Sequence, residues 1–233
     1  MTELGRMTGV LTSPTEAFAD IAQKPRWLPP LALATLLGLL FVYLFTVRVG
    51  WDRAVQALAS HPSMERAPAE RRADVMAQQR KFMPYGVWGG ASVGPIVMAA
   101  VTAAVLLGVF NLGFGAQFKF KGVFAAVSYS SMTSVVSTAA AVLVLFLKDP
   151  DEYRIDQPTA FNLGAFLSPD STPAWLRSLG GSIDLFMIWT LVLLAFGIRA
   201  LDPKRSLGSC LTGVLVPWGL LVLIKMGWAA IFG

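Results

Sequence analysis

Apolar residues in this chain come in long runs, broken by shorter polar stretches rich in charge and proline. A helix needs about 20 predominantly apolar residues to cross the hydrocarbon core of a bilayer. Five runs approach or exceed that length, at about 28–47, 86–113, 122–147, 181–198 and 207–232. The pattern predicts an all-α membrane protein: a five-transmembrane-helix bundle with short amphipathic helices at the interface. The first run lies too far into the chain, and is too long, for a signal h-region of roughly 7–15 residues. It is therefore expected to stay as a helix, which divides the chain into an N-terminal segment (1–27) and a five-span membrane domain (28–233).

The polar stretches predict how the bundle is oriented and dressed. Arg6, Lys24 and Arg26, then Lys119 and Lys121, then Arg199, Lys204 and Arg205 fall on one side of the five spans. The third loop is acidic, with Asp149, Asp151, Glu152, Asp156 and Asp170 against Lys148, Arg154 and Arg177. Cytoplasmic loops carry the excess of Lys and Arg, so the N-terminus is expected inside and the C-terminus outside. The first loop opposes this, with seven basic residues including Arg48, Arg53, Arg66 and Arg80, partly offset by Asp52, Glu65, Glu70 and Asp74.

Ser13 to Gln23 reads as an amphipathic helix. Ser13 and Glu16 form a capping-box pattern, Pro14 suits the first helical position, and Phe18 and Ile21 give one apolar side. It is expected to lie at the interface, as an anchor or a docking element. Trp51–Ser60 and Pro68–Phe82 predict two helices in the first loop. Residues 159–167 (TAFNLGAFL) are too short to span and suggest an interfacial or re-entrant segment, followed by an anchor at Trp175 and Leu176.

Composition narrows the class. The chain has 233 residues, 55% hydrophobic and 14% charged, with a mean hydropathy of +0.60. Soluble domains carry roughly 25% charged residues, and disordered chains are poor in apolar ones. One cysteine, Cys210, gives no disulfide framework and reads as a small buried residue; with one histidine, His61, it leaves no metal cluster and no Ser/His/Asp triad. No enzyme activity, metal or cofactor is expected. The pI of about 9.6 fits attraction to anionic lipid, and nucleic acid is not needed to explain it.

The candidate sites lie inside the runs. Ionisable groups within a span are costly and default to functional hypotheses. Asp184 and Lys225 fall in the same leaflet when their helices run in opposite directions, which suggests an intramembrane ion pair. Asp184 alone also reads as a helix cap and Lys225 alone as a residue snorkelling to the interface. Gly86, Gly90 and Gly94 repeat every fourth residue, and Ser130, Ser134 and Ser137 share a face of the third run. Small residues at such spacing let helices approach closely in membranes. The serine face also suits a solute path. Pro95 and Pro217 are expected to kink their helices.

FKGVFAAVSYSSM at the start of the third run, NLGAFL at 162–167, IDLFMIWTLVLLAFGI at 183–198 and the N-terminal SPTEAFADIAQKPRWLPPL together resemble the bacterial branch of the Yip domain family, the Ypt/Rab-interacting proteins. The resemblance implies a five-span helical bundle with a cytoplasmic N-terminus. Its eukaryotic members bind prenylated small GTPases through a longer N-terminal region that is nearly absent here, so a small GTPase is not expected as a partner. The expected role is a scaffold or accessory subunit that binds membrane lipids and another integral membrane protein or a second copy. The alternative is a transporter or channel-like component for a lipid or small solute. The Ala, Gly, Arg and Leu content suggests a bacterial inner (plasma) membrane.

Overall fold

The computed structural model describes residues 1–59, 68–151, 153, 159–168 and 171–232. His61, Glu65, Arg66, Glu152, Arg154, Asp156 and Asp170 lie outside the described residues. Two short helices, α1 (Glu3–Thr12) and α2 (Pro14–Gln23), precede the long α3 (Leu28–Arg48). There follow α4 (Trp51–Ala59), α5 (Ala69–Gly108), which ends in a π turn at Val109–Gly113, α6 (Phe120–Ser130) and α7 (Met132–Leu147). A 3-10 turn at Leu163–Phe166 leads to α8 (Ala174–Ser182), α9 (Leu185–Leu201) and α10 (Leu207–Phe232).

Four of these stretches are long and apolar enough to cross a membrane: Leu28–Arg48, Ala69–Gly113, Phe120–Leu147 and Leu207–Phe232. The fourth expected span, 181–198, is the exception to the predicted five. Its helix, α9, has 17 residues because Asp184 caps it one turn into the apolar run. The second expected span and the loop helix before it merge into one: α5 has 40 residues and runs through Pro95 without a break. Likewise α10 continues through Pro217. The third expected span is two helices, divided at Ser131.

The chain divides into two compact units. The larger comprises Met1–Ala34, Pro95–Ser137 and Phe161–Gly233. One part of its core joins Leu106, Phe110, Val123, Leu194, Ile198 and Val214 from α5, the π turn, α6, α9 and α10. The other joins Val10, Phe18 and Ile21 of the two short helices to Ala126, Tyr129 and Leu193. Phe18 is 1% exposed and Ile21 2%, so the apolar side of α2 packs on α6 and α9, not on lipid. Burying each such side chain from water stabilises by about 1.5–3 kcal/mol. Pro14 does take the first position of α2, but Ser13 makes no side-chain capping bond. Its backbone N–H is already turned back to the Gly9 carbonyl, closing α1. Sequence reasoning missed α1, although Met7, Val10 and Leu11 stand at helical spacing and are the residues it carries to the core.

Gly197 shows how closely these helices meet. A Cβ there would stand 2.9 Å from Ala126 Cβ and 3.1 Å from Phe18 Cε1. Such distances are shorter than side-chain carbons tolerate in a close-packed interior.

The second unit comprises Thr35–Gly94 and Thr138–Ala160. Phe45, Val49, Ala54, Leu145 and Tyr153 form its core. Arg48 closes the C-terminus of α7, donating to the carbonyls of Leu145 at 2.7 Å, Phe146 at 3.1 Å and Lys148 at 3.4 Å. Those carbonyls have no partner within the helix. Arg53 pairs with Asp151 and Arg80 with Asp52. These contacts give part of the basic first loop a structural task.

Candidate functional site

The sequence singled out Asp184 and Lys225 as a pair, and the structure gives each a different partner. Asp184 is the N-cap of α9: its Oδ1 accepts from the backbone N–H of Phe186 at 2.9 Å and Met187 at 3.0 Å. Lys225 Nζ donates to Ser182 Oγ at 3.2 Å, and Ser182 Oγ donates to the Ser178 carbonyl at 2.9 Å. No ion pair joins Asp184 to Lys225 among the described residues. The two orphan N–H groups and the positive end of the helix dipole already satisfy the carboxylate.

The NLGAFL segment holds this corner. Leu163 N–H donates to the Ile183 carbonyl at 3.1 Å, and Leu185 N–H to the Phe161 carbonyl at 3.0 Å. Asn162 and Asp184 thus form an antiparallel bridge, and Asn162 Oδ1 caps the 3-10 turn from Ala165 N–H at 3.0 Å. A Cβ on Gly180 would lie 2.9 Å from Gly164 N, so backbone packs on backbone. The 162–167 segment is therefore a clasp on the start of α9. Asn162, Gly164 and Gly180 are the residues that sequence reasoning missed here. The available signal was the Asn-Leu-Gly turn chemistry.

The hydroxyl row of the third span is mostly turned onto its own backbone. Ser128 Oγ donates to the Phe124 carbonyl at 2.6 Å, Ser130 Oγ to Ala126 at 2.8 Å and Ser134 Oγ to Ser131 at 2.6 Å. Such back-bonding competes with the helix ladder and bends helices, and the break at Ser131 falls in its midst. Ser130 is buried, Ser137 is half-buried and Ser134 is exposed, so the expected serine face does not act as one packing surface. Thr133 makes the one cross-helix bond of the row, to Thr190 on α9 at 2.5 Å.

Gly86 and Gly90 are exposed and Gly94 is half-buried. A Cβ at any of the three would meet nothing within 4 Å. Among the described residues, no side chain packs against these three Cβ positions. Cys210 is buried and unoxidised, as expected of a small apolar residue.

A further polar cluster sits under α1. Arg6 is almost wholly buried, and its Nε donates to Asp20 Oδ2 at 2.6 Å. Its Nη1 reaches Glu3 Oε1 at 3.3 Å and the Lys24 carbonyl at 3.1 Å. Tyr129 Oη of α6 donates to Glu3 Oε2 at 2.6 Å, and Arg26 adds an exposed pair to Glu3 at 3.2 Å. The N-terminal ammonium of Met1, which donates to Asp20, and then Arg6 hold the Asp20 carboxyl below its ordinary range. Burial works against the Arg6 charge, but its bond to Asp20 and the nearby carboxylates outweigh that and raise it above its usual value. Arg6 thus ties α1 to α2 and to its C-cap residue Lys24, while Glu3 carries the cluster on to Tyr129 of α6. In sequence it read only as a topology charge.

Long apolar helices, a polar corner built from helix caps and a buried arginine latch define a membrane-embedded helical protein. The family model of the Yip1 domain matches residues 8–229. The chain belongs to the Yip1 domain family, as the motifs of its N-terminal segment, third run and α9 suggested. No curated protein matches the chain. No solved structure matches it.

Proposed function

We propose that the protein is a non-enzymatic membrane scaffold or accessory subunit that packs α5 against a helix of another integral membrane protein or of a second copy. The open ladder of Gly86, Gly90 and Gly94 carries this reading. Helices in lipid gain little from hydrophobic burial against each other and associate through close van der Waals packing at small residues. Here three such residues repeat at four-residue spacing, and among the described residues nothing stands within 4 Å of their Cβ positions. Five spans complete the proposed topology, with the 17-residue α9 as the shortest, at the lower end of what crosses a bilayer. The basic N-terminal segment, α5–α6 connection and α9–α10 connection face the cytoplasm of a bacterial plasma membrane, and the C-terminus faces outward.

A pull-down of the tagged full chain in mild detergent, with mass spectrometry of proteins and lipids, tests this. A stoichiometric membrane protein or a discrete homo-oligomer is expected. Gly90→Leu should lower its recovery by about tenfold, since one lost close contact of about 1.4 kcal/mol is that factor. Gly227→Leu on α10, also open within 4 Å, should leave it unchanged. Equal recovery in wild type and both variants, or no partner at all, overturns the proposal. The break at Ser131 favours a second reading as a transporter of a lipid or small solute, because broken helices often bound transport sites. Solute or lipid flux in proteoliposomes without any partner would move the weight there.

A further inference from the structure

An open groove of about 390 Å³ lies between the C-terminal ends of α2 and α9. Ala19, Ala22 and Gln23 of α2 form one wall; Ala200, Leu201 and Pro203 form the other. The alanines are what make it a groove, since larger side chains would close it.

Its rim is basic. Lys24 directly follows Gln23, Lys204 follows Pro203 and Arg199 precedes Ala200, and all three are exposed. Lys121, also exposed, precedes Gly122, where a Cβ would stand 3.1 Å from Leu201 Cδ2. None of the four is in an ion pair among the described residues. The nearby acids are engaged elsewhere. Asp20 is held by Arg6 at 2.6 Å and by the Met1 ammonium at 3.0 Å, and Asp202 by Arg205 at 2.9 Å. Among the described acids near the groove, Glu16, exposed on α2, is without a partner, and it lies a turn before Ala19. Cations therefore predominate at the rim.

We infer that this groove binds an anionic phospholipid, with the phosphate headgroup among Lys24, Lys121 and Lys204 and the first part of an acyl chain along the alanine walls. Such a ligand matches both halves of the surface. A small soluble anion would gain nothing from Ala22 and Leu201, and a neutral lipid would gain nothing from the lysines. The position suits a lipid too: apolar α9 ends at Leu201 and gives way to the polar turn at Asp202–Ser206, where a helix leaves hydrocarbon for headgroups. The site is separate from the α5 glycines and stands or falls apart from them.

The test uses the full chain in nanodiscs of phosphatidylcholine doped with phosphatidylglycerol, extracted gently and read by native mass spectrometry. The wild type should retain phosphatidylglycerol in preference to phosphatidylcholine. The triple variant Lys24→Gln, Lys121→Gln, Lys204→Gln should lose about tenfold of that preference, as expected for removing several near-surface cations. Ala22→Leu, which fills the groove and leaves every charge in place, should lower retention as well. Arg71→Gln with Lys81→Gln, both exposed on α5, should change nothing. An unchanged preference in the triple variant overturns the proposal, as does an equal fall in the α5 control or displacement of the lipid by inorganic phosphate. Melting temperatures of all variants report folding. Recovery of the α5 partner from the same samples should not move, so loss of lipid binding and loss of the partner are distinguishable.

Discussion

Single residues here are defined by what they hydrogen-bond, and two of them make direct predictions. Asp184 caps α9, so Asp184→Ala should cost about 1 kcal/mol in denaturation in detergent, while Asp184→Asn, which keeps an acceptor, should cost a few tenths. Combined with Lys225→Ala, the losses should add, because the two side chains share no partner. A double-variant loss well below the additive sum would restore the ion pair. Arg6 and Asp20 set a pH dependence. Folding lowers the Asp20 carboxyl, so the unfolded chain binds its proton more readily and stability rises with pH through the carboxylate range. That contribution is complete above the usual value of about 3.9 and is lost as pH falls beneath it. Melting curves should show this loss in the wild type and less of it in Asp20→Asn. Tyr129→Phe removes the hydroxyl that reaches Glu3 at 2.6 Å and should cost about 1 kcal/mol.

Among the elements, α2 and α9 depend on close approach. Gly197→Ala should destabilise by about 1–3 kcal/mol, since the new methyl must displace Phe18 or Ala126. By contrast, Gly86→Ala should be nearly silent in the isolated chain, because nothing stands within 4 Å of it. Thermal shift in detergent separates the two. The same residue type thus has opposite meanings, and the composition of a helix does not distinguish them. α5 makes a related point. Its 40 residues extend about 60 Å, twice the hydrocarbon thickness of about 30 Å. The charged stretch from Glu70 to Lys81 and the apolar stretch from Gly86 onward belong to one continuous helix and not to a loop helix followed by a span.

For the whole molecule, the proposed orientation predicts which ends react with impermeant reagents. In a Cys210→Ser background, a cysteine at Gly233 should label from outside intact cells, and one at Ser13 only after permeabilisation. The opposite pattern would reverse the topology. Much of the molecule was legible along the chain. The apolar runs report the free energy of moving each segment from water into hydrocarbon, a local sum over neighbouring residues. For that reason the membrane location, the long helices, the burial of Cys210 and the ordered α2 could be read directly. The family was legible too, through the N-terminal segment, the NLGAFL turn and the α9 motif. Tertiary structure decided the rest. It turned Asp184 to its own helix and Lys225 to Ser182, and started the helix of the fourth apolar run one turn late, at Leu185. It buried Phe18 and Ile21 against protein, and it made Arg6 a latch. It also separated the packed Gly197 from the open Gly90. Each of these depends on which distant groups meet, and hydrogen bonds and steric contacts act over a few ångströms between residues far apart in sequence. Hydropathy is summed along the chain, whereas pairing is settled only where the folded helices touch.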